Sequence, residues 1–143
     1  MSQENVGILR DGLEAAAVEG MRLDGLDDEA VDRVVEVLHP EVEFREDPKF
    51  PEGRVYHGRD AVRTYFKRFS SEFQPFWWEA EDVIDVDDDR VLLLVRVRGR
   101  GRGSGAKFDT RGGWLFTLSN GMAVRVDAYL DRREALDAAG LRG

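Results

Sequence analysis

The side chains that could do chemistry in this chain of 143 residues are mainly carboxylates and arginines. The chain contains no cysteine, which excludes disulfides, thiol catalysis and cysteine-ligated metal. Its two histidines, His39 and His57, stand apart from other suitably spaced ligands, so the sequence predicts no metal site. His39 also precedes Pro40 at the expected end of a helix, where the helix dipole favours a histidine, and a structural role explains it.

Three consecutive aspartates at 87–89 raise the question of a calcium loop. If Asp85 is taken as the first ligand, Arg90 stands where such a loop requires glycine and Arg96 where it requires a bidentate glutamate. We therefore interpret the aspartates as a polar turn between two strands.

Arginine alternates with glycine over residues 96–105, a composition that can bind RNA. Here the run lies between two predicted strands and has no interleaved aromatic residues. The chain as a whole carries 29 acidic and 21 basic residues, a net charge of −8 that repels nucleic acid and anionic lipid. The run is interpreted as a flexible hairpin turn, and no nucleic-acid partner is expected.

Several other functional classes are excluded by pattern. No glycine-rich segment leads from a strand into a helix, so neither a dinucleotide fingerprint nor a phosphate loop is present, and no cofactor is expected. No apolar run is long enough to cross a membrane, and the first twenty residues lack the apolar core of a secretion signal. Together with the absence of cysteine, these features favour a cytoplasmic protein.

The elements that must position any site follow from periodicity. Helical spacing predicts helices at about 3–19, 28–39 and 58–73, and strand patterns predict strands at 41–46, 77–85 and 90–101. Asp131 and Glu134 form a capping box for a short last helix.

A long hairpin is predicted around Asn120-Gly121, because this dipeptide tolerates the left-handed conformation of a two-residue turn. With that turn, Ser119 faces Met122, and counting outward pairs Gly113 with Ala128. The predicted inner face of the hairpin carries Arg111, Gly113, Leu115, Thr117, Val124, Val126, Ala128 and Leu130. The predicted outer face carries Phe108, Trp114, Phe116, Leu118, Ala123, Arg125, Asp127 and Tyr129.

The order of elements, together with the segments VEFREDPKFPEGRVYHGRDAVRTYF and AYLDRREALDAAGL, resembles the SnoaL-like branch of the nuclear transport factor two-like superfamily. The resemblance covers essentially the whole chain. It implies that residues 1–143 form one α+β domain, a conical curved antiparallel sheet wrapped around three helices with a short C-terminal helix. The superfamily hosts isomerases, epoxide hydrolases, polyketide cyclases, dehydratases and members without catalysis, so the resemblance implies a fold and leaves the activity open.

The resemblance implies one candidate catalytic residue. Ketosteroid isomerases of this superfamily use as general base the aspartate of a Glu-Asp-Pro triplet after the first strand, which Glu46-Asp47-Pro48 matches. Asp47 is therefore the candidate base at the cavity mouth, although Asp-Pro also begins ordinary turns. The hydrogen-bond donors that assist such a base are missing, because their positions fall near Leu13 and on Gly113. The aspartate of the epoxide hydrolases falls on Ala128.

The predicted pocket is apolar with few polar groups, the usual composition of a site for a small hydrophobic molecule. Gly113 and Ala128, predicted side by side, would leave room in it unless Trp78 fills the space. The alternative is that these side chains simply fill the interior. The predicted lining residues are Phe44, Tyr56, Tyr65, Phe66, Phe69, Trp78, Arg111, Gly113, Leu115, Val126, Ala128 and Leu130.

The predicted outer face would expose a larger apolar patch than a soluble monomer usually shows, which predicts a homodimer packed back to back through the sheets. The resemblance implies the same arrangement. The predicted interface residues are Phe108, Trp114, Phe116, Arg125, Asp127 and Tyr129, with Arg125 and Asp127 paired across the two-fold axis.

Two functions remain open. In the first, the protein binds a small lipophilic molecule without turning it over. In the second, it is a cofactor-independent acid–base enzyme, similar to an isomerase, cyclase or hydrolase, with Asp47 as base and Tyr56 or Arg111 orienting the substrate. The missing donors favour the first function, and the retained triplet favours the second.

Overall fold

The computed structural model describes residues 22–24, 32, 35–36, 38–47, 54–101, 103 and 105–141, without the side chains of residues 22–24, 69–78 and 80. This part of the chain forms seven strands and two helices. The strands are β1 (Arg22–Asp24), β2 (Leu38–Arg45), β3 (Val55–His57), β4 (Phe73–Asp85), β5 (Arg90–Gly101), β6 (Lys107–Ser119) and β7 (Met122–Tyr129). The helices are α1 (Arg59–Glu72) and α2 (Arg132–Ala138).

The strands form one curved, open sheet in the order β1-β4-β5-β6-β7-β2-β3. Neighbouring strands are antiparallel except β2 and β7, which run parallel. The predicted α+β class, with a curved sheet and a short C-terminal helix, is confirmed. The helix predicted at 3–19 lies outside the described residues.

The predicted end of the second helix at His39 is wrong. A helical bond from Glu36 N to Asp32 O is present, at 3.1 Å, but Leu38 already begins β2. His39 lies in this strand, where its Nδ1 accepts a hydrogen bond from Glu41 N at 3.0 Å. The pairing of β2 with β7 is irregular between Leu38 and Glu43. Pro40 lies in that interval and has no N–H to donate to a ladder.

Helix α1 begins directly after Gly58, whose φ of 85° is left-handed and whose N–H donates to Val42 O at 2.7 Å. Val62 and Phe66 follow at helical spacing, and both are buried against the sheet. The predicted third helix is therefore confirmed, and its apolar face covers one face of the sheet.

The hairpin of β6 and β7 has the predicted turn, but its register differs from the prediction. Asn120 and Gly121 have φ values of 52° and 81°, as a two-residue turn of type I′ requires, and Ser119 pairs with Met122. Further along, Leu118 pairs with Ala123 while Thr117 pairs with Arg125, so β7 contains one extra residue at this point. The extra residue is a β-bulge, and beyond it every predicted pair is displaced by one position.

Two apolar clusters lie on opposite faces of the sheet. We call the face covered by α1 the inner face and the face covered by α2 the outer face. The buried inner cluster consists of Val35, Leu38, Val42, Phe44, Val62, Phe66, Val91, Leu93, Val95, Phe116, Leu118, Ala123 and Val126. The buried outer cluster consists of Leu92, Leu94, Leu115, Ala135 and Ala139.

Helix α2 is fixed at its start by the predicted cap. The Asp131 carboxylate accepts hydrogen bonds from Arg133 N at 2.7 Å and Glu134 N at 3.2 Å. The helix then lies directly on Gly113, where an added Cβ would be 2.5 Å from the Cβ of Ala135. Glycine at 113 therefore allows the close approach of α2 to β6.

Candidate functional site

An aromatic cluster lies on the inner face where β2, β3, α1 and β6 meet. Phe44 is at its centre and is 1% exposed. The ring centroid of Phe44 is 5.4 Å from Tyr65 and 5.8 Å from both Phe66 and Trp114. The rings of Tyr56 and Tyr65 are 4.8 Å apart. These separations are those of aromatic side chains in favourable mutual contact.

Local structure explains how each ring reaches the cluster. Tyr56 on β3 is directly opposite Phe44 on β2, so their side chains share a face. Trp114 on β6 is opposite Ala128 on β7, so its cross-strand neighbour on this face is a small side chain. Tyr56, Tyr65 and Trp114 are only partly buried. Their accessible surface is what a small molecule could contact.

Glu46 provides the polar end of this cluster. Tyr56 donates its hydroxyl hydrogen to Glu46 Oε1 at 2.8 Å. Glu46 directly follows β2, and its hydrogen bond with Tyr56, which shares a face with Phe44, places its carboxylate beside the cluster. The Glu46 amide donates to Arg54 O at 3.0 Å, which joins the chain before and after the 48–53 segment.

The electrostatics of the two tyrosines reflect this neighbour. Burial, followed by the hydrogen bond to Glu46 and its negative charge, raises the pKa of Tyr56 to about 12. Burial raises the pKa of Tyr65 even more, and the Glu46 carboxylate and Tyr56 contribute in the same direction. Arg54 and Arg68 lower the pKa of Tyr56, but their effects are smaller than those of burial and Glu46. The hydroxyls therefore stay protonated at neutral pH.

The candidate base Asp47 lies in the interior. It is 1% exposed, and its Oδ2 accepts a hydrogen bond from Leu130 N at 2.7 Å. A general base must come within hydrogen-bond reach of its substrate, whereas this carboxylate is buried and bonded to the backbone. Its position therefore differs from the predicted cavity mouth, and its catalytic role stays a prediction.

Only some of the predicted pocket residues lie on the inner face. Those on the inner face are Phe44, Tyr56, Tyr65, Phe66, Val126 and Ala128. The side chains of Phe69 and Trp78 lie outside the described part of the chain.

Gly113, Leu115, Arg111 and Leu130 are not on the inner face, which corrects the prediction. Leu115 packs in the outer cluster, and Gly113 contacts α2. Arg111 is exposed and pairs with Glu81 at 3.2 Å, while Leu130 follows the end of β7 and is 39% exposed. The bulge pairs Gly113 with Tyr129 instead of Ala128, so these two small residues lie on opposite faces.

Three of the six predicted interface residues lie on the inner face for the same reason, while the interface itself stays a prediction. Phe108, Trp114 and Phe116 belong to the inner face, where Phe116 is buried. Across the ladder, Arg125 pairs with Thr117 and Asp127 with Leu115, on the outer face. The ion pair of Arg125 with Asp127 lies within one chain, with 2.9 Å between Nε and Oδ2.

Tyr129 also remains on the outer face, opposite Gly113. Among the described side chains, the large apolar ones that are exposed are Val55, Leu130 and Leu141. None of them comes from the predicted aromatic patch.

Sequence reasoning missed two members of the site. Glu46 could have been found, because it stands two residues after Phe44 in the strand predicted at 41–46. Trp114 was assigned to the opposite face, because the bulge that pairs it with Ala128 has no signal in the sequence.

Two other kinds of site are absent from the described residues. Within the described ranges, no group of three or more histidine or acidic side chains is placed to share a metal ion. The helices in the same ranges are too short and too polar to cross a bilayer.

The curved sheet and its covering helix have the nuclear transport factor two-like fold. The profile of the SnoaL-like domain matches residues 18–126, and the chain belongs to this family. A comparison with curated proteins finds no match.

Solved structures share the fold at low sequence identity. A nuclear transport factor two-like protein from Burkholderia thailandensis is 21% identical, with a TM-score of 0.72 over 97% of this chain and 98% of that chain. A putative polyketide cyclase from Xanthomonas campestris is 19% identical, with a TM-score of 0.64 over 96% and 97% of the two chains. A hypothetical protein with a ketosteroid isomerase-like fold from Catenulispora acidiphila, in complex with trimethylamine, is 12% identical, with a TM-score of 0.62 over 78% and 83%.

Proposed function

We propose that this protein binds a small apolar molecule on the inner face of its sheet. The observation that carries the proposal is the partial exposure of Tyr56, Tyr65 and Trp114 around the buried ring of Phe44. Aromatic surface with few polar groups is the usual lining of a small-molecule site. A protein of similar fold forms a complex with trimethylamine, which supports the binding of a small molecule by this fold.

The polar groups of the proposed site are few and fixed. Tyr56 presents a ring to the site and holds its hydroxyl against Glu46, 2.8 Å away. Ala128 provides a small surface beside Trp114. A ligand at this place would contact mainly aromatic carbon and would meet one carboxylate at its edge.

Binding can be tested with N-phenyl-1-naphthylamine, a neutral lipophilic dye whose fluorescence rises in apolar surroundings. Wild-type protein is expected to bind it saturably. Ala128→Leu would occupy the space beside Trp114 and is expected to weaken binding on the order of tenfold, about 1.4 kcal/mol. The matched control is Ala138→Leu, the same change at an exposed position of α2, and it is expected to leave affinity unchanged. Absence of saturable binding, or equal weakening by both substitutions, would contradict the proposal.

A second candidate function is that of a cofactor-independent acid–base enzyme with Asp47 as base. It is favoured by the retained Glu46-Asp47-Pro48 triplet and by a solved structure of similar fold that is a putative polyketide cyclase. Because Asp47 is buried, the chain near Leu130 would have to move before a substrate could reach it. An enzyme should lose turnover in Asp47→Asn while it keeps ligand affinity. A protein that only binds has no turnover to lose.

A further inference from the structure

Glu46 adjoins the partly buried tyrosine rings of the inner face, and this juxtaposition defines a class of ligand. We infer that the ligand is an organic cation, a protonated or quaternary amine with apolar substituents, whose charge lies near Glu46 and whose apolar groups lie on Tyr56 and Tyr65. The inference rests on the proposed function, because it names the chemical class that the same site selects.

The geometry provides two kinds of contact for such a cation. The Glu46 carboxylate is 2.8 Å from the Tyr56 hydroxyl, and the Tyr56 ring is 4.8 Å from the Tyr65 ring. A group beside the carboxylate is therefore at the hydroxyl edge of Tyr56, and its apolar substituents can lie against the adjoining tyrosine rings. A cationic centre placed over a ring face within about 6 Å of the centroid is also attracted by the π electrons. An ionised carboxylate has about four acceptor sites, of which Tyr56 uses one.

The electric field at the tyrosine hydroxyls favours a positive charge. Glu46 raises the pKa of both Tyr56 and Tyr65, in each case after the larger effect of burial, because its negative charge opposes formation of a phenolate. Arg54 and Arg68 act in the opposite direction on Tyr56 and are weaker than Glu46. A field that disfavours an anion at this place favours a cation and disfavours an acidic ligand.

The charge of the whole chain acts in the same direction. A net charge of −8 attracts cations towards the protein and raises their local concentration. The main alternative is a neutral ligand that donates a hydrogen bond to Glu46. Such a ligand would use the same rings, so the experiment must separate charge from shape.

Phenyltrimethylammonium and tert-butylbenzene have nearly the same shape and differ in charge. Each would compete with N-phenyl-1-naphthylamine for the wild-type protein. The cation is expected to compete on the order of tenfold better than its neutral counterpart. Since the preference is electrostatic, it should also decrease as salt is raised.

Two matched substitutions assign the preference to Glu46. Glu46→Gln is expected to abolish it while the dye still binds. Glu43→Gln is the control on the same strand, because Glu43 lies on the outer face and pairs with Arg45 at 3.0 Å, and it should leave the preference unchanged. If Glu46→Gln does not fold, Glu46→Asp is the alternative variant, and because it keeps the charge it should keep the preference for the cation. The salt dependence of the preference in the wild type tests the inference without any variant.

The possible results distinguish failure of the cation inference from failure of the proposed function. Equal competition by both probes in the wild type would overturn the cation inference and leave small-molecule binding intact. A preference that persists in folded Glu46→Gln would overturn the role of Glu46. Failure of the wild type to bind the dye and both probes would overturn the proposed function itself.

Discussion

The Asp47 carboxylate accepts a hydrogen bond from the backbone amide of Leu130, with 2.7 Å between Oδ2 and N. The two residues are 83 positions apart, so this bond joins the end of β2 to the end of β7. Leu130 directly precedes Asp131, the N-cap of α2. The buried Asp47 carboxylate therefore also fixes the residue that precedes the N-cap of α2.

Removal of this bond should destabilise the fold. Asp47→Ala leaves the Leu130 amide without its acceptor, and we expect a loss of about 1–3 kcal/mol in the free energy of unfolding, measured by urea denaturation. Asp47→Asn keeps an acceptor oxygen and should lose less. Asp85→Ala, at an exposed position of β4, is the control and should change stability by less than about 0.5 kcal/mol. Equal stability of the two alanine variants would show that the bond contributes nothing.

The contact of β6 with α2 predicts a non-additive pair of substitutions. Gly113→Ala places a Cβ 2.5 Å from the Cβ of Ala135, so α2 must shift, and we expect a loss of about 1–3 kcal/mol. Ala135→Gly alone should cost about 1 kcal/mol through helix propensity. In the double variant the clash is removed, and the loss should be smaller than the sum of the two single losses. Additive losses in thermal or urea unfolding would argue against this packing.

Tyrosine ionisation tests the neighbourhood of Glu46. The chain has three tyrosines, and burial is the largest cause of the raised pKa of each one. The tyrosinate absorbance of Tyr56 is expected to appear with a midpoint at a pH of about 12. In Glu46→Gln this midpoint should move towards the ordinary value of about 10, whereas Glu43→Gln should leave it in place.

The raised pKa of Tyr56 makes the free energy of unfolding depend on pH. Since folding raises the pKa of Tyr56 to about 12, the folded state holds this proton more strongly than the unfolded state. The contribution is complete below the unfolded value of about 10 and is lost as pH rises through the folded value. Tyr56→Phe should therefore be less stable than wild type at neutral pH, and the difference should shrink at alkaline pH. A difference that stays constant across this window would contradict the shift.

The expected homodimer can be tested by light scattering after gel filtration. We expect a mass twice the 16.2 kDa of one chain. On the outer face, ion pairs such as Arg125 with Asp127 and Arg96 with Asp109 replace the predicted aromatic patch. A dimer through this face would bring charged surfaces together, so its mass should depend on salt concentration. A mass of one chain at all salt concentrations would rule it out.

Local patterns in the sequence were sufficient for much of the fold. They located β5 at 90–101, α1 within one residue at each end, the turn at Asn120-Gly121 and the cap of α2 at Asp131. Each of these depends on residues within a few positions of one another, on helical spacing, turn preference or capping. The resemblance to the SnoaL-like family was likewise carried by element order and short segments, and it is confirmed.

The arrangement of the site depended on contacts between distant residues. A bulge in β7, opposite Thr117 and Leu118, places Trp114 and Phe116 on the same face as Val126, and the docking of Ala135 explains the glycine at 113. The hydrogen bond from Leu130 to Asp47 placed this candidate base in the interior, where it joins the ends of two strands. Strand register has a period of two residues, so one inserted residue exchanges the faces, and only packing against the helices and neighbouring strands selects where that residue is placed.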